Sequence, residues 1–557
     1  MNEATLRLVV RHVLRSCALV LACLILGVHP SAAQSTTSLL PDATVLPRRT
    51  LDVRIASAWT RYDELLGTGG PRNLAASFNR DSLGSADIPR LGVAENAIRS
   101  LTGVPTLRLT AGNLVAAADS RILTAPLIVQ YGLSSRLTLG VVIPFVESRT
   151  TVAARLNPRP TVKPPVGRIT ANVGPNPALN NPALLAQNAA LWSSLRAADS
   201  LLQQKLTSCQ ATPSAPDCQM VLQQQPAVQS LIQAATSFAS GLQTLYGTDA
   251  QHPGEPFVPL AGGDVQKLIN SQITRLITQF QSFLPNTSIT GSVAAAAGPP
   301  AFGELQGLLT TLGRDTLQVI DRTSIGDVSI GATYQLANTF GDTTAAGSRS
   351  ARYRLAVNGT ARLGTGQPAS RNRLFDTGTG YGQPGVEIGA AGDVQRGRYS
   401  VTGSASYTKQ LGTIAVSRIP NAGNAIFPLG VANLDAGGTY TAGDVIALSI
   451  VPRFRISGFF ALTGQYALVY RGADVYSLAS TSATSTTASI SGFGADASIA
   501  QQVGIGFTYS TIVGPDRTAG RLPVEISFSH LETLTASGGP APKTFRDQIE
   551  LRWYVFR

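Results

Sequence analysis

The sequence contains few of the side chains that most often carry out catalysis or bind metals. Its 557 residues include four His and four Cys, and of the histidines only His252 and His530 lie beyond residue 33. No HExxH sequence, no Cys/His spacing typical of zinc and no EF-hand loop occurs. With no metal or cofactor motif present, the sequence predicts a protein that is not an enzyme and that binds no cofactor.

Charged side chains are also scarce. They make up 14% of the chain, against about 25% in average soluble domains. The formal net charge of +12 is not gathered into basic clusters with stacking aromatic residues, so the composition does not favour nucleic acid as a partner. It favours an outer-membrane lipid or lipopolysaccharide surface, or an anionic solute.

Long apolar runs are confined to the start of the chain. Three Arg precede an apolar run from Cys17 to Val28, and small residues follow up to Ala33, which is the pattern of a cleaved secretory signal peptide at residues 1–33. Lipidation at Cys23 is the alternative, but the apolar run continues past that residue. Cleavage would remove three Arg and one Glu and lower the net charge from +12 to +10. Beyond residue 33 no stretch approaches the roughly 20 apolar residues of a membrane helix, so an exported chain of this kind is either soluble or a β-barrel.

Two cysteines remain after cleavage. Cys209 and Cys218 flank a turn that contains two prolines. In an oxidising, exported compartment this spacing predicts one disulfide, and two free thiols are the alternative.

Twelve segments alternate apolar and polar side chains with the period of two that a β-strand requires. This alternation predicts an all-β transmembrane barrel of about 12 antiparallel strands, with lipid outside and a wetted lumen inside. A soluble β-sandwich also alternates, but its strands are usually shorter, with a mode near about six residues. The segments are Thr50–Arg61, Leu123–Tyr131, Leu137–Glu147, 327–336, 352–363, 386–395, 399–408, 446–455, 460–470, 499–510, 524–529 and 548–555.

The connections between these segments alternate in length. An even strand count places both chain ends on one side, and in outer-membrane barrels short turns face the periplasm and long loops face outward. The pattern therefore predicts periplasmic termini. Trp59 on the first strand and Trp553 on the last fall near opposite membrane faces, as aromatic girdles do. The long connections are 62–122, 148–326, 364–385, 411–443, 471–497 and 533–544.

Residues 148–326 break the strand rhythm. Apolar residues recur at helical spacing, for example from Leu191 to Leu206, and predict three or four amphipathic helices, with Pro182 and Asp264 as helix starts. The chain thus divides into a signal peptide (1–33), three strands with a long loop (34–147), a mainly α-helical insert (148–326) and nine strands (327–557). The strand count places the insert outside the cell, as a cap over the mouth or a plug within it.

Neither remaining histidine predicts a hydrolase. Ser529 is adjacent to His530, but neighbouring residues of a strand point to opposite faces. His252 lies in a loop rich in Gly, Pro and Asp. The glycine-rich stretch Gly378–Gly382 lacks the GK[ST] ending of a phosphate loop and is predicted to be a turn whose glycines take positive φ.

The strand directions bring one set of charges together inside the barrel, in its periplasmic half. We predict that this lumen charge belt either screens solutes by size and sign or fills a narrow barrel with ion pairs. Its excess of arginine would favour anions if a path is open. The belt comprises Arg54, Arg352, Arg354, Arg453, Arg455 and Arg552 with Asp52, Asp393, Glu525 and Glu550.

Three stretches, Gly326–Leu336, Asp376–Gly389 and Ala125–Gly140, resemble the FadL-like outer-membrane transporter family associated with the MetA pathway of phenol degradation. The resemblance covers the strand regions and not the insert. It implies a channel or uptake role for small aromatic or hydrophobic compounds. The last strand also resembles the aromatic-ended signal that the outer-membrane assembly machinery binds, although Arg557 follows Phe556 here.

Together these features predict a porin-like protein of a Gram-negative-type envelope, located in the outer membrane and acting as a passive channel or transporter of small molecules. The alternative is a structural or adhesion protein, whose insert binds a partner while a closed barrel anchors it.

Overall fold

A computed structural model describes most of the chain. The predicted signal peptide lies outside the described residues. These are 43–67, 70–157, 170–215, 217–311, 319–340, 351–370, 375–420, 431–478, 487–488, 496–511, 523–539 and 541–556.

Twelve antiparallel strands form one closed barrel, which confirms the predicted fold class. Each strand pairs with its neighbours in chain order, and the first pairs with the last, from Thr50 opposite Phe556 to Arg61 opposite Phe545. The start of the first strand and the end of the last therefore lie at the same end of the barrel, called here the terminal end. The strands are Thr50–Tyr62 (β1), Leu114–Gly132 (β2), Leu137–Leu156 (β3), Ser329–Asn338 (β4), Arg352–Arg362 (β5), Gly385–Arg396 (β6), Tyr399–Gln410 (β7), Val445–Arg455 (β8), Phe460–Arg471 (β9), Ser498–Ser510 (β10), Val524–Gly538 (β11) and Phe545–Phe556 (β12).

One strand of the wall is interrupted. An extra strand, Ile320–Ile325, pairs with Phe145–Thr150 of β3, and β4 continues the same line by pairing with Leu137–Val142 of β3. Residues 326–328 between them insert one residue more than the facing stretch of β3, since Ile325 is opposite Phe145 and Ser329 is opposite Val142. The opposite end of the barrel, where the long connections lie, is called the insert end.

The barrel has large apolar side chains outside and polar ones inside, the reverse of a soluble protein. On β1 the outward positions hold Val53, Ile55 and Trp59, while the inward Asp52 and Arg54 are buried. Ile505 of β10 is 71% exposed, whereas the Asp52 residue is 0% exposed. Leaving so many large apolar side chains exposed would be unfavourable in water but suits contact with lipid.

Trp59 and Trp553 both lie exposed on the outer surface of the seam between β1 and β12. Trp553 is opposite Val53 and Trp59 is opposite Asp547. The two levels are thus six residues apart along β1, about 20 Å at the usual rise of a strand. This separation is close to the roughly 25 Å height of the apolar band of an outer-membrane barrel.

Helices occupy two of the long connections. The insert helices begin at the predicted residues Pro182 and Asp264, and Asn181 caps the first of them by accepting hydrogen bonds from the Ala183 and Leu184 amides. A helix in the first long loop, between β1 and β2, was not predicted. The helices are Pro89–Thr102 (α1), Pro182–Ala211 (α2), Gln219–Gln223 (α3), Gln225–Tyr246 (α4), Asp264–Phe283 (α5) and Phe302–Thr311 (α6). Within the described part of the chain, no helix is long and apolar enough to span a membrane.

The helices share one apolar core with the end of the barrel wall. Leu191, Leu242 and Phe280, from α2, α4 and α5, are fully buried in this core. Inward-facing residues at the insert end, including Leu114 of β2 and Leu156 of β3, belong to the same cluster. The helical insert and the first long loop therefore pack as one body against the barrel mouth.

A disulfide joins Cys209 to Cys218, as predicted. It links the last turn of α2 to the start of α3, and both cysteines are buried in the helical core. Small additional sheets extend the loops of the insert end, among them Ile414–Pro420, Val431–Thr441, Val475–Leu478 and Thr487–Ala488, which form a four-stranded sheet.

Candidate functional site

The candidate site is the lumen, and its charges at the terminal end form two groups. In the first, Asp52 accepts a hydrogen bond from Arg54 Nε at 2.7 Å and lies 3.1 Å from Arg552 Nε. Arg54 also donates to the Gln130 side chain at 2.5 Å. The Asp52, Arg54 and Arg552 side chains are all buried, so one carboxylate is shared by two arginines on adjacent strands.

The remaining acids of this group line the same seam. Glu525 of β11 is directly opposite Arg552, and Glu550 is opposite Ala56 of β1. Because the Asp52, Arg54 and Arg552 side chains are buried, their charges interact more strongly than exposed charges in water. The group thus combines two arginines with three carboxylates.

The second group lies on β5, β6 and β7. Arg354 Nε donates to Asp393 Oδ2 at 2.7 Å, and Thr402 donates to the other carboxylate oxygen at 2.7 Å. Arg352 is opposite Gln395 on β6. The structure therefore brings Arg354 and Asp393 into direct contact and leaves Arg352 exposed at the rim.

Two arginines of the predicted belt lie apart from both groups. Arg453 of β8 is opposite Ser400 and Thr463, and Arg455 is opposite Ala461. Neither has a carboxylate as its register partner. The ten predicted residues thus line one end of the barrel, but the contacts divide them into two ion-paired groups and two arginines on β8.

The segment before β1 passes through the lumen at the terminal end, close to the level of these charges. Leu46 N donates to Thr138 Oγ1 at 2.9 Å, and the Ala43 carbonyl accepts a hydrogen bond from Gln335 Nε2 at 3.2 Å. Ala43 is buried against Ala356 of β5 and Ala391 of β6. Since β1 lies several strands away from β5, residues 43–46 cross the lumen and narrow it; they are called here the terminal constriction.

A loop narrows the lumen again toward the insert end. Residues 364–370 and 375–384, between β5 and β6, fold over the interruption of the wall at Asp327. The Asp327 carboxylate accepts hydrogen bonds from the backbone amides of Gly366 at 2.8 Å, Tyr381 at 2.6 Å and Gly382 at 3.3 Å. A Cβ on Gly380 would lie 2.8 Å from Asp327 Cγ. The glycine-rich turn therefore cradles a carboxylate of its own chain and not a phosphate.

Tyr381 of this loop reaches between two arginines. Its ring lies 4.4 Å from the Arg362 guanidinium and 5.9 Å from that of Arg471. Arg471 is paired with Asp474 at 2.6 Å. Because Arg362 is on β5 and Arg471 is on β9, the Tyr381 side chain lies across part of the barrel interior; we call this the loop constriction.

Further contacts fix the loop to its surroundings. Arg322 pairs with the buried Asp376 at 2.6 Å, and the Gln383 amide donates to the Tyr440 carbonyl at 2.7 Å. The Phe375 ring packs 5.4 Å from that of Phe78, a member of the helical core. The loop therefore connects the lumen with the helices above it.

The histidines lie outside the lumen. His530 Nδ1 is 2.7 Å from Asp547 Oδ1 on the outer surface, where the register neighbours of this pair are Ile505 and Trp59. Neither neighbour supplies a nucleophile for a serine-type mechanism. His252 contacts Asp249 at 2.9 Å in an exposed loop, and its hydrogen bond holds the pKa of Asp249 below the ordinary value. The described residues include no group of three or more His, Cys, Asp or Glu able to hold a metal ion.

Sequence reasoning missed the loop constriction. Asp327 and Arg362 fall within the predicted strand segments 327–336 and 352–363, but no pattern indicated that Tyr381 would lie over Arg362. The available signal was the density of glycine in Gly378–Gly382, where Gly378 and Gly382 take the predicted positive φ of 63° and 64°. Such glycines allow a loop to approach another backbone closely.

The closed fold, the apolar exterior and the polar interior define a transmembrane β-barrel protein.

No protein-family model matches the sequence, and no curated protein matches it significantly. Several solved barrels resemble the structure at low sequence identity. The COG4313 outer membrane channel from Pseudomonas putida F1 is 8% identical, with 94% of this chain and 100% of that chain covered and a TM-score of 0.38. The Ralstonia pickettii toluene transporter TbuX is 8% identical, with 95% of each chain covered and a TM-score of 0.26. A FadL homologue from Pseudomonas aeruginosa is 8% identical, with 95% and 98% covered and a TM-score of 0.26. With TM-scores below 0.5, these likenesses are too distant to assign residues or solutes to this chain.

Proposed function

We propose that the protein is an outer-membrane channel through which small molecules pass passively. The observation that carries the proposal is a closed barrel with a polar, charge-bearing inner wall. Below the insert end, the described apolar clusters of the interior are small, namely Ile128 with Val142 and Ala43 with Ala356 and Ala391. A polar inner wall of this kind lines the water-filled channel of porins.

The two constrictions are built in a way that suits a regulated path. The terminal constriction is held by hydrogen bonds from Gln335 to the Ala43 carbonyl and from the Leu46 amide to Thr138, and the loop constriction by backbone amides that donate to Asp327. Exchanging such bonds for bonds to water costs about 1 kcal/mol net for a neutral pair and about 1.5–3 kcal/mol for a bond to a charged group, and none of them belongs to the strand pairing of the barrel. A passage can therefore widen without loss of the barrel.

We propose that the lumen charge belt selects among solutes. The seam group holds two arginines and three carboxylates, and Arg453 and Arg455 lie on β8 without a carboxylate as register partner. An anion would meet these β8 arginines, whereas a cation would be attracted to the seam carboxylates. The wall therefore presents charges of different sign on different sides, and neutral solutes meet the smallest barrier.

We also propose that the helical insert is an extracellular cap. Its core merges with Leu114 and Leu156 at the insert end, above the level of Trp59, and not with the belt residues. The resemblance of the strand motifs to phenol-degradation transporters makes small aromatic compounds the first solutes to test.

The test is solute flux in proteoliposomes containing the full chain. We expect efflux of small neutral solutes above that of protein-free liposomes. Replacing residues 158–318 with a short flexible linker should leave the barrel intact and raise the rate moderately, because a cap limits access without filling the lumen. Protein that folds as a barrel but gives no flux, with or without the insert, would contradict the channel proposal and leave the structural alternative.

A further inference from the structure

The inner wall between the two constrictions carries a run of polar side chains on β5. Asn358, Thr360 and Arg362 occupy successive inward positions, and their residues are 7%, 9% and 8% exposed. They begin one inward position above Ala356, where the terminal constriction touches the wall, and end at Arg362, where the Tyr381 ring lies. The run therefore lines the wall of the lumen from one constriction to the other.

Several buried atoms of this run, of Gln410 on β7 and of Tyr381 in the adjoining loop have no hydrogen-bond partner. They are both side-chain atoms of the Asn358 amide, Thr360 Oγ1, Arg362 Nε and Nη1, Gln410 Nε2 and Tyr381 OH. Gln410 is 3% exposed and accepts a hydrogen bond from Arg362 Nη2 through its Oε1. Buried polar atoms in proteins are nearly always paired, so seven unpaired atoms on one stretch of wall indicate that another molecule takes part.

Two glycines on β6 shape this stretch. Gly389 is opposite Asn358 and Gly385 is opposite Arg362. A Cβ at Gly389 would lie 2.4 Å from Asn358 Oδ1, and one at Gly385 would lie 2.9 Å from Arg362 Nη2. The Asn358 and Arg362 side chains thus lie against the wall over glycines, in a cradle that a larger residue would fill.

The charges around the cradle indicate what kind of solute it suits. Six of the seven unpaired atoms belong to groups that can donate a hydrogen bond, so the ligand should offer acceptor oxygens. Arg362 is already offset by Asp327, 3.8 Å from its Nε, and Glu387 on β6 faces the same lumen between the two glycines. A carboxylate ligand would be repelled by these two acids, whereas a neutral oxygen would not.

We propose that Asn358, Thr360, Arg362 and Gln410 form a binding site for a neutral solute with a hydrogen-bond-accepting oxygen. The site lies midway along the path and rests on the proposed channel function. Tyr381 covers it in the present state, with its ring on Arg362 and its backbone amide on Asp327. Binding therefore requires the Tyr381 side chain to move, and an aromatic solute could take its place over the guanidinium.

The test uses the full chain in planar bilayers and three probes of similar size. Benzyl alcohol carries a neutral oxygen, toluene carries none and benzoate is an anion. We expect benzyl alcohol to reduce the ion current at lower concentration than toluene or benzoate. Thr360→Val removes a hydroxyl with little change of shape and should raise the half-blocking concentration of benzyl alcohol about two- to ten-fold, the loss of one hydrogen bond.

Thr508→Val is the matched control, since Thr508 is an equally buried inward threonine on β10, on another part of the wall. It should leave block by benzyl alcohol unchanged. Equal block by benzyl alcohol and toluene, or equal effects of the two substitutions, would overturn the proposal and assign the unpaired atoms to water only.

A second measurement separates this site from the channel proposal. If the full chain gives no current, the channel proposal fails, and equilibrium dialysis of radiolabelled benzyl alcohol against the detergent-solubilised full chain then decides on the site. Binding that Thr360→Val weakens and Thr508→Val does not would support it. Binding that responds equally to both, or none at all, would contradict it.

Discussion

The contact between Asp327 and residues 364–384 allows the loop constriction to be loosened by one substitution. Asp327→Asn keeps the size of the side chain but replaces one acceptor oxygen with an NH2 group. The Oδ1 atom accepts from Gly366 and Gly382, and the Oδ2 atom accepts from Tyr381. In either orientation of the new side-chain amide, its NH2 group faces at least one backbone N–H, which then has no acceptor.

The expected magnitude follows from the strength of these bonds. A hydrogen bond to a charged group contributes about 1.5–3 kcal/mol net, and a buried unpaired donor costs a further 1–3 kcal/mol or so. Allowing for relaxation, we expect Asp327→Asn to destabilise the docked loop by about 3 kcal/mol relative to the released loop. This corresponds to roughly a hundred-fold increase in the population of the released state.

Limited proteolysis measures that population directly. The loop contains Tyr381, whose ring is held over the Arg362 guanidinium, so chymotrypsin can cut after it when the loop is released. When opening is fast relative to cleavage, the cleavage rate follows the equilibrium population of the open form. We expect cleavage between residues 364 and 384 to be roughly a hundred times faster in Asp327→Asn than in the wild type, with a higher ion conductance.

Asp321→Asn provides the control, because Asp321 lies on the neighbouring strand, is exposed and is 3.7 Å from the Arg149 side chain. In the Asp321→Asn variant, the loop between β5 and β6 should be cut at the wild-type rate. If Asp327→Asn is also cut at the wild-type rate, Asp327 does not hold the loop, and the account of the loop constriction is wrong.

Three further predictions concern the insert and the charge belt. Replacing Cys209 and Cys218 by Ser should lower the stability of the helical insert by about 2.5 kcal/mol, because the disulfide restricts the unfolded chain by closing a loop of this length. The helical circular-dichroism signal should then be lost at a lower denaturant concentration, and an unchanged midpoint would contradict the prediction. Burial raises the pKa of Glu255, and Arg90 offsets only part of this effect; burial likewise raises the pKa of Asp87. The folded helical body, which consists of the insert and the first long loop with Asp87, then binds more protons than the unfolded one. Its stability should therefore fall as pH rises through the interval above the ordinary carboxyl pKa, and Glu255→Gln should reduce that fall when melting is followed from pH 4 to 7. Asp52→Ala leaves Arg54 and Arg552 buried without their shared carboxylate and should cost about 3–5 kcal/mol; urea titration of the folded barrel checks this, and a cost below about 1 kcal/mol would mean that these charges are solvated in the lumen.

The barrel could be predicted from the sequence because lipid imposes a simple rule on each strand. Outward residues such as Ile55, Ile388 and Ile505 must be apolar and inward ones are free to be polar, so a period of two appears wherever a strand crosses the membrane. The twelve strands, the closure between β1 and β12 and the disulfide follow from that pattern and from the cysteine spacing.

The requirement for apolar outward residues does not apply to the parts of a strand that extend beyond the lipid. β2 begins at Leu114 rather than at Leu123, and β3 continues to Leu156 beyond Glu147. In these extensions the outward Asp119 and Arg121 face water, while the inward Leu114 packs under the helices. In these extensions the polar residues face outward and the apolar residues face inward. A search for strands with an apolar outer face therefore cannot find the extensions.

The loop constriction was beyond the sequence for a different reason. Asp327, Tyr381 and Arg471 are separated by 54 and 90 positions in the chain, counted between consecutive residues of this set. Only the closed barrel brings β4, β5 and β9 around one lumen. Contacts of this kind depend on tertiary geometry, since the local pattern of each segment is satisfied equally well without them.

Single-channel recording from the full chain in planar bilayers decides whether the lumen conducts. We expect discrete conductance steps that increase in Asp327→Asn, because the barrel is a path that the loop at Asp327 narrows. A folded barrel that gives no conductance steps in the wild type or in this variant would show that the lumen is closed, and would contradict the channel function.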